Sequence, residues 1–446
     1  MPKFKFDDLT PARADLTQRQ QLSLLMTSIQ IKGCMRTSHW WLAASICFIG
    51  LTGQRALSAS GDWPQWRGSS HDGHSTETDI PVKWDANSIV WRAELPGDGQ
   101  SSPVISGDRI FLTAAIGKGR ERVVFCVDRR SGKIVWQETV WTGEPEASHD
   151  MNGWASATCA TDGQRVVAFF GRGGIHGFDV DGKKLWSKDL GKFDGPWGTG
   201  ASPLIVDDAV IQNCDAVGAA SLIALDKQTG QVKWQTPRDS PQRGGWSSPV
   251  LINVGKRREL ALNGETSVIG YDPETGAKLW FCKSFIGRGE PTATPGQGLL
   301  FLVNGNAGDF YTVRPGGEGD VTQTHMAWHT PRRSGRDQPS PIVIGEFVIV
   351  SSMDGVASCY DTTSGRELWK ERLGGKFTSS PIAANGLAYF QNEAGETVVI
   401  KPGPKLEIVA NNSLPAAEGE VFRASLTPSR GQMFSRSNKV LYCLGK

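Results

Sequence analysis

Asp361-Thr-Thr-Ser-Gly-Arg-Glu-Leu-Trp369 is the stretch on which the fold turns. The Asp can bond backbone N–H groups two residues on, and Gly365 supplies the positive φ of a tight hairpin. A strand ending in a large aromatic follows. The same phrase returns as Asp128 to Trp136 (DRRSGKIVW), Asp226 to Trp234 (DKQTGQVKW) and Asp272 to Trp280 (DPETGAKLW). It is one residue shorter from Asp179 to Trp186 (DVDGKKLW). Working outward, each copy is preceded by three strands, the first opened by a Ser-Pro step, as in Ser101-Ser-Pro-Val-Ile105, Ser202-Pro203, Ser248-Pro249, Ser340-Pro341 and Ser380-Pro381. Thr158 and Thr294 read as weaker copies of that opening.

The steps between Trp91, Trp136, Trp186, Trp234, Trp280, Trp328 and Trp369 are 45, 50, 48, 46, 48 and 41 residues. Four strands per 40 to 50 residues is the period of propeller blades. A seventh copy, near 377–414, replaces the Asp turn with Lys401-Pro-Gly-Pro404 and has no Trp. The eighth, 421–444, stops after three strands. The strand around Trp91 has no sheet of its own and fits that vacancy. The sequence therefore predicts an all-β, eight-bladed β-propeller of four-stranded antiparallel blades, closed by an N-terminal strand that completes the C-terminal blade. The recurring Trp residues read as packing between blades, since each large ring adds apolar area where one sheet covers the next.

The chain outside the ring carries an address. Met35, Arg36 and His39 precede the apolar run from Trp40 to Leu51, and the small residues Ala56 to Ser60 follow. This is the order of a secretory signal, too short to span a bilayer. Residues 1–34 read as a non-native or disordered extension with translation starting at Met35, 35–60 as the signal peptide and 61–446 as one propeller. Cys47 follows Ile46, where lipid attachment asks for a small residue, so the expectation is a soluble exported protein, periplasmic or secreted. The formal charge of +2 implies no nucleic-acid or lipid electrostatics. Export permits disulfides. Cys126, Cys359 and Cys443, however, occupy a site held by Gly177, Ala224 and Gly270 in sister repeats, so they are expected as thiols. Cys159, Cys214 and Cys282 stay open.

The phrase Ala224-Leu-Asp226-Lys-Gln-Thr-Gly230-Gln-Val-Lys-Trp234, with Asp62-Trp-Pro-Gln-Trp-Arg67, resembles the docking motif of pyrroloquinoline quinone (PQQ) repeat propellers, over about residues 61 to 446. The likeness is to the exported PQQ-like proteins grouped with the outer-membrane assembly factor BamB. The resemblance implies a binding or scaffold propeller of the envelope, with a protein or a small sugar or anionic ligand as partner. The alternative it implies is an alcohol or sugar oxidoreductase holding PQQ with Ca²⁺ in the central funnel. Enzymes of that kind carry an adjacent Cys-Cys pair there, and this sequence has none. It has no C-x-x-C-H haem site either.

Candidate binding residues lie in the connections between blades, because loops on a rigid ring converge on its funnel. His149-Asp-Met-Asn152-Gly-Trp154, Gly195-Pro-Trp197 and Pro241-Gln-Arg243-Gly-Gly-Trp246 put Trp just ahead of an inner strand. Arg288-Gly-Glu290, Arg336-Asp337 and Arg423 hold the corresponding places later. Flat aromatic faces beside guanidinium groups suit a sugar, an aromatic molecule or a peptide, with Arg243, Arg336 and Arg423 as candidate holders of a carboxylate or phosphate. The competing structural reading is that the Trp residues plug the channel and the charges pair with one another. No metal site is expected. His71-Asp-Gly-His74 reads as a loop, and Asp179-Val-Asp-Gly182 as a hairpin turn rather than a calcium loop.

Overall fold

A computed structural model describes residues 61–238, 243–283, 287–306, 308–332 and 336–445. The extension and the signal peptide expected at 1–34 and 35–60 lie outside the described residues. The rest is an eight-bladed propeller, with blades one to seven following one another in sequence order and the four strands of blade four joined by a fifth from within blade five. Blade one is typical, with antiparallel strands Val104–Ser106, Arg109–Ile116, Glu121–Asp128 and Ile134–Thr142. The last blade is the composite. Strands Thr427–Ser429, Gln432–Arg436 and Val440–Leu444 take Ile89–Glu94 as their outer strand, with Trp91 opposite Cys443 and Ala93 opposite Leu441. The seventh copy, weak in sequence, forms all four strands.

One local device recurs in every blade. The ladder between the third and outer strands skips a residue beside the Trp: Ala224 pairs with Trp234 and Leu225 with Val232, leaving Lys233 out. The same slip leaves out Val90, Val135, Leu185, Leu279, Ala327, Leu368 and Val409 in the other seven. A bulge bends the strand and re-aims a side chain, and here it accompanies an indole turned toward the next blade. Its N–H then finds a carbonyl just after the neighbouring Asp: Trp91 to Arg129 at 3.1 Å, Trp136 to Val180 at 3.0 Å, Trp186 to Lys227 at 3.0 Å and Trp328 to Thr362 at 2.9 Å. Trp234 reaches Pro273 at 3.3 Å, and Trp369 reaches Gly403 at 3.1 Å although blade seven has no Asp turn.

The register also explains the small residues. Cys126, Gly177, Ala224, Gly270, Cys359 and Cys443 each lie directly opposite the Trp of their own blade. A Cβ on Gly270 would sit 2.2 Å from the Trp280 ring. In blade seven Ala410 replaces the Trp, and its partner enlarges to Val399. All six cysteines from Cys126 onward are buried free thiols, including Cys159, Cys214 and Cys282.

Blade five breaks the pattern. It replaces its Asp turn with an insertion whose strand Gly319–Asp320 pairs in parallel with Lys278–Lys283 of blade four. Trp280 therefore has no Asp turn to reach and donates instead to the Glu259 carboxylate at 2.6 Å, both side chains being fully buried.

A belt of eight hydrogen bonds ties the inner strands into a circle. The backbone N–H of Ser102 donates to the Thr158 hydroxyl, and Thr158 to Ser202. The relay continues through Ser248, Thr292, Ser340, Ser380 and Ser425, which donates back to Ser102, at 2.8 to 3.4 Å. Thr292, not the Thr294 expected from sequence, holds the belt position of blade five; the Thr294 hydroxyl turns to the Pro341 carbonyl.

Candidate functional site

The N-terminal segment sets one end of the central channel. It bonds to blade one through Trp63 and Ile105 and to blade two through the Pro64 carbonyl and Thr161. Arg67 donates to the Pro341 carbonyl of blade six, Ser75 to Ala383 of blade seven, and Glu77 accepts from Gly431 of the composite blade. Trp66 projects from this crossing segment into the axis and donates its indole N–H to the Thr292 hydroxyl at 3.1 Å. Burial drives the His71 imidazole of the same segment down to about 4, so it is neutral and bonded to Gln65. The His71 to His74 stretch is thus part of the crossing, with His74 bonded to the Val343 carbonyl at 2.6 Å.

Above Trp66 a cavity of about 200 Å³ opens between the inter-blade connections. Seven belt residues form its base, all but Ser425. Of the nine candidates read from sequence, His149, Asn152, Trp197, Trp246, Glu290, Arg336 and Arg423 line it. The Asn152 amide fixes the Trp197 carbonyl at 2.8 Å, and Trp246 donates to the Gly198 carbonyl at 3.0 Å. The two rings meet edge to face, 6.3 Å apart at 67°.

Two candidates are not among the lining residues. Trp154 donates to the Glu146 carbonyl at 2.8 Å and packs beneath the buried guanidinium of Arg122, 5.9 Å from its ring. Arg243 stands against Glu265, its backbone N–H and side chain both directed at that carboxylate. The contribution of Trp66 was not assigned from sequence. The Trp-Pro-Gln-Trp spacing gives no sign that its second indole leaves the segment for the axis.

Electrostatically the lining holds three guanidinium groups, Arg288, Arg336 and Arg423, against one carboxylate, Glu290. Arg336 donates to Glu290 at 2.8 Å and Gln338 reaches the other oxygen at 3.3 Å. Burial nevertheless holds the Glu290 carboxyl above the usual range, partly offset by Arg336. Arg423 donates to Glu393 at 2.9 Å and to the Asp150 carbonyl at 2.8 Å, tying the first inter-blade connection across the mouth. Arg288 lies over the Trp197 ring at 5.2 Å.

A family model described as outer membrane protein assembly factor BamB matches residues 75–195, 120–283 and 318–402, well over half of the chain. The chain belongs to the BamB family. It is 24% identical to the BamB of Burkholderia pseudomallei (strain K96243) over 299 residues, 63% of this chain and 68% of that one. Among solved structures it is similar to BamB from Moraxella catarrhalis, with TM-score 0.58 and 17% identity, covering 80% of this chain and 97% of that one. A europium-containing methanol dehydrogenase is similar with TM-score 0.65 and 12% identity, covering 87% and 98%. Quinohemoprotein alcohol dehydrogenase from Comamonas testosteroni follows at 0.62 and 13%, covering 88% and 82%. At these identities the structural likenesses speak for the fold alone.

The dehydrogenase likeness can be tested on this BamB-family funnel. Among the described residues no group of three or more His, Cys, Asp or Glu is placed to hold a metal. The one lining carboxylate is engaged by Arg336 and Gln338. Trp197 and Trp246 present an edge and a face, not two parallel faces between which a flat quinone could slide. The residues present do not fit PQQ with Ca²⁺.

Proposed function

We propose that this protein is an exported binding and scaffold propeller serving the assembly of outer membrane proteins, periplasmic or secreted, with the funnel mouth and the inter-blade connections as its working face. The observation that carries the reading is the match of the BamB family model across most of the ring. The mouth supports it: the Trp197 carbonyl accepts from Asn152, Trp246 donates to the Gly198 carbonyl and the Arg288 backbone N–H donates to the Asn304 carbonyl, contacts that preorganise these residues for binding at low ordering cost. Among the described residues no helix is long and apolar enough to cross a membrane.

The test is fractionation of the producing cell followed by affinity capture of the tagged protein from detergent-solubilised envelopes. The reading expects the protein in the envelope or periplasmic fraction, recovery of outer membrane assembly proteins, and reduced outer membrane protein levels in a deletion strain. Residence in the cytoplasm, or unchanged outer membrane protein levels with no assembly protein recovered, would remove it.

A further inference from the structure

Around the cavity, some donors and charges are taken up by the protein itself and others are free. Two of the three lining guanidinium groups are consumed, Arg336 by Glu290 and Arg423 by Glu393 and the Asp150 carbonyl. Arg288 is not. It lies over Trp197, 5.2 Å from the ring, and forms only a long ion pair with Glu290 at 3.7 Å, and among the described residues its guanidinium makes no hydrogen bond. A guanidinium that makes no hydrogen bond to the protein has its N–H fork available, and that fork pairs with a carboxylate.

The base of the cavity adds a second, independent demand. A hydroxyl has one proton to give and lone pairs to receive. Each belt oxygen receives a backbone N–H, and among the described residues none of these hydroxyls donates to a protein acceptor. Seven of them face the cavity, so its floor is a circle of O–H donors awaiting oxygen. Trp246 lines the same cavity, two residues ahead of the belt residue Ser248 in sequence, and meets edge to face the Trp197 ring over which Arg288 lies.

We propose that the funnel is a binding site for an acidic sugar, a single ring bearing one carboxylate. The carboxylate pairs with Arg288, the C–H face of the ring lies on Trp246, and the ring's oxygens accept from the belt hydroxyls. A flat aromatic acid leaves the belt donors unanswered, a neutral sugar leaves Arg288 unanswered, and an inorganic anion leaves the indole unanswered. This inference deepens the binding-module reading and rests on it.

The experiment is calorimetric and Trp-fluorescence titration of the full chain with glucuronate, with glucose, benzoate and inorganic phosphate as comparators. Saturable one-to-one binding of glucuronate, at least tenfold tighter than any comparator, is expected. Arg288→Gln and Trp246→Ala should each weaken it at least tenfold, with the thermal transition of Arg288→Gln unchanged. No saturable glucuronate signal, equal binding of phosphate or benzoate, or wild-type affinity in Arg288→Gln would overturn the proposal. A silent titration by a protein that still captures envelope assembly proteins refutes the sugar site alone; loss of both refutes the broader reading too.

Discussion

The seam between two blades is governed by a Trp and a Gly that belong to different sheets. Gly230 adopts φ +70°, and a Cβ there would lie 2.7 Å from the Trp186 ring of the preceding blade. The residue is therefore fixed twice, by its own backbone and by its neighbour's indole. Gly230→Ala should cost more than Trp186→Phe. The Phe variant keeps most of the ring and loses the N–H bond to Lys227, about 1 kcal/mol. The Ala variant must move the indole as well as strain the turn, about 2–3 kcal/mol. Chemical denaturation of the two variants measures the order. The sequence announced that the position two before each turn Asp is small, but not why, because the Trp that crowds it arrives across the ladder only after the bulge has set the register. Compensation at Val399 and Ala410 could not be read from a single repeat.

His71 and His176 add a pH dependence at the same scale. Burial lowers both imidazoles to about 4, against about 6.5 in the unfolded chain. The folded state holds them neutral while the unfolded state takes up protons below about 6.5. Their contribution to stability is complete above that pH and is lost as pH falls toward 4. Thermal melts at pH 7 and pH 5 should show the acid loss, and His71→Gln should flatten the slope. A melting temperature independent of pH over this window would contradict the assignment.

Among the elements, the insertion of blade five is the instructive exception. Without an Asp turn to receive its N–H, Trp280 turns inward to Glu259, which Arg257 also holds at 2.6 Å. Glu259→Ala leaves a buried indole N–H unpaired and should destabilise by about 1–3 kcal/mol, whereas Glu259→Gln retains an acceptor and should cost less. Equal denaturation midpoints for the two variants would show that the bond is idle. The Trp period located blade five correctly, yet it carried no sign of the parallel strand Gly319–Asp320, since two residues pairing in an unfamiliar direction leave no periodicity to detect. The candidate site was legible to a similar degree. Inter-blade loops are identifiable from spacing, so seven of the nine candidates do line the cavity, while most of the other lining residues went unassigned. Whether an indole such as Trp154 points to the axis or away from it depends on where Arg122 lies, and that contact is tertiary.

At the scale of the whole molecule, closure joins residues far apart in sequence. Ser425 reaches Ser102 across 323 positions. Arg436, buried and without a carboxylate partner in hydrogen-bond range among the described residues, donates to the Ser101 and Thr113 carbonyls of blade one at 2.7 and 2.8 Å. Burial lowers its guanidinium to about 9. Removing the strand Ile89–Glu94 exposes the edge of Val440–Leu444 and should abolish a single cooperative unfolding transition, leaving broad, non-coincident changes by circular dichroism and fluorescence. Survival of one sharp transition would mean that the seam is not what holds the ring.

The crossing segment from Gly61 to Glu77 has a consequence for the order of events in time. It is among the first parts of the ring to be synthesised, and its partners include Pro341, Ala383 and Gly431, among the last. A chain leaving the ribosome, amino end leading, holds this ribbon idle while sheet after sheet forms behind it. Only release of the final strands lets the ribbon seat. Maturation of this protein is therefore timed by its carboxyl end, and a ribosome stalled near the end would leave an open, adhesive arc rather than a slightly shorter ring.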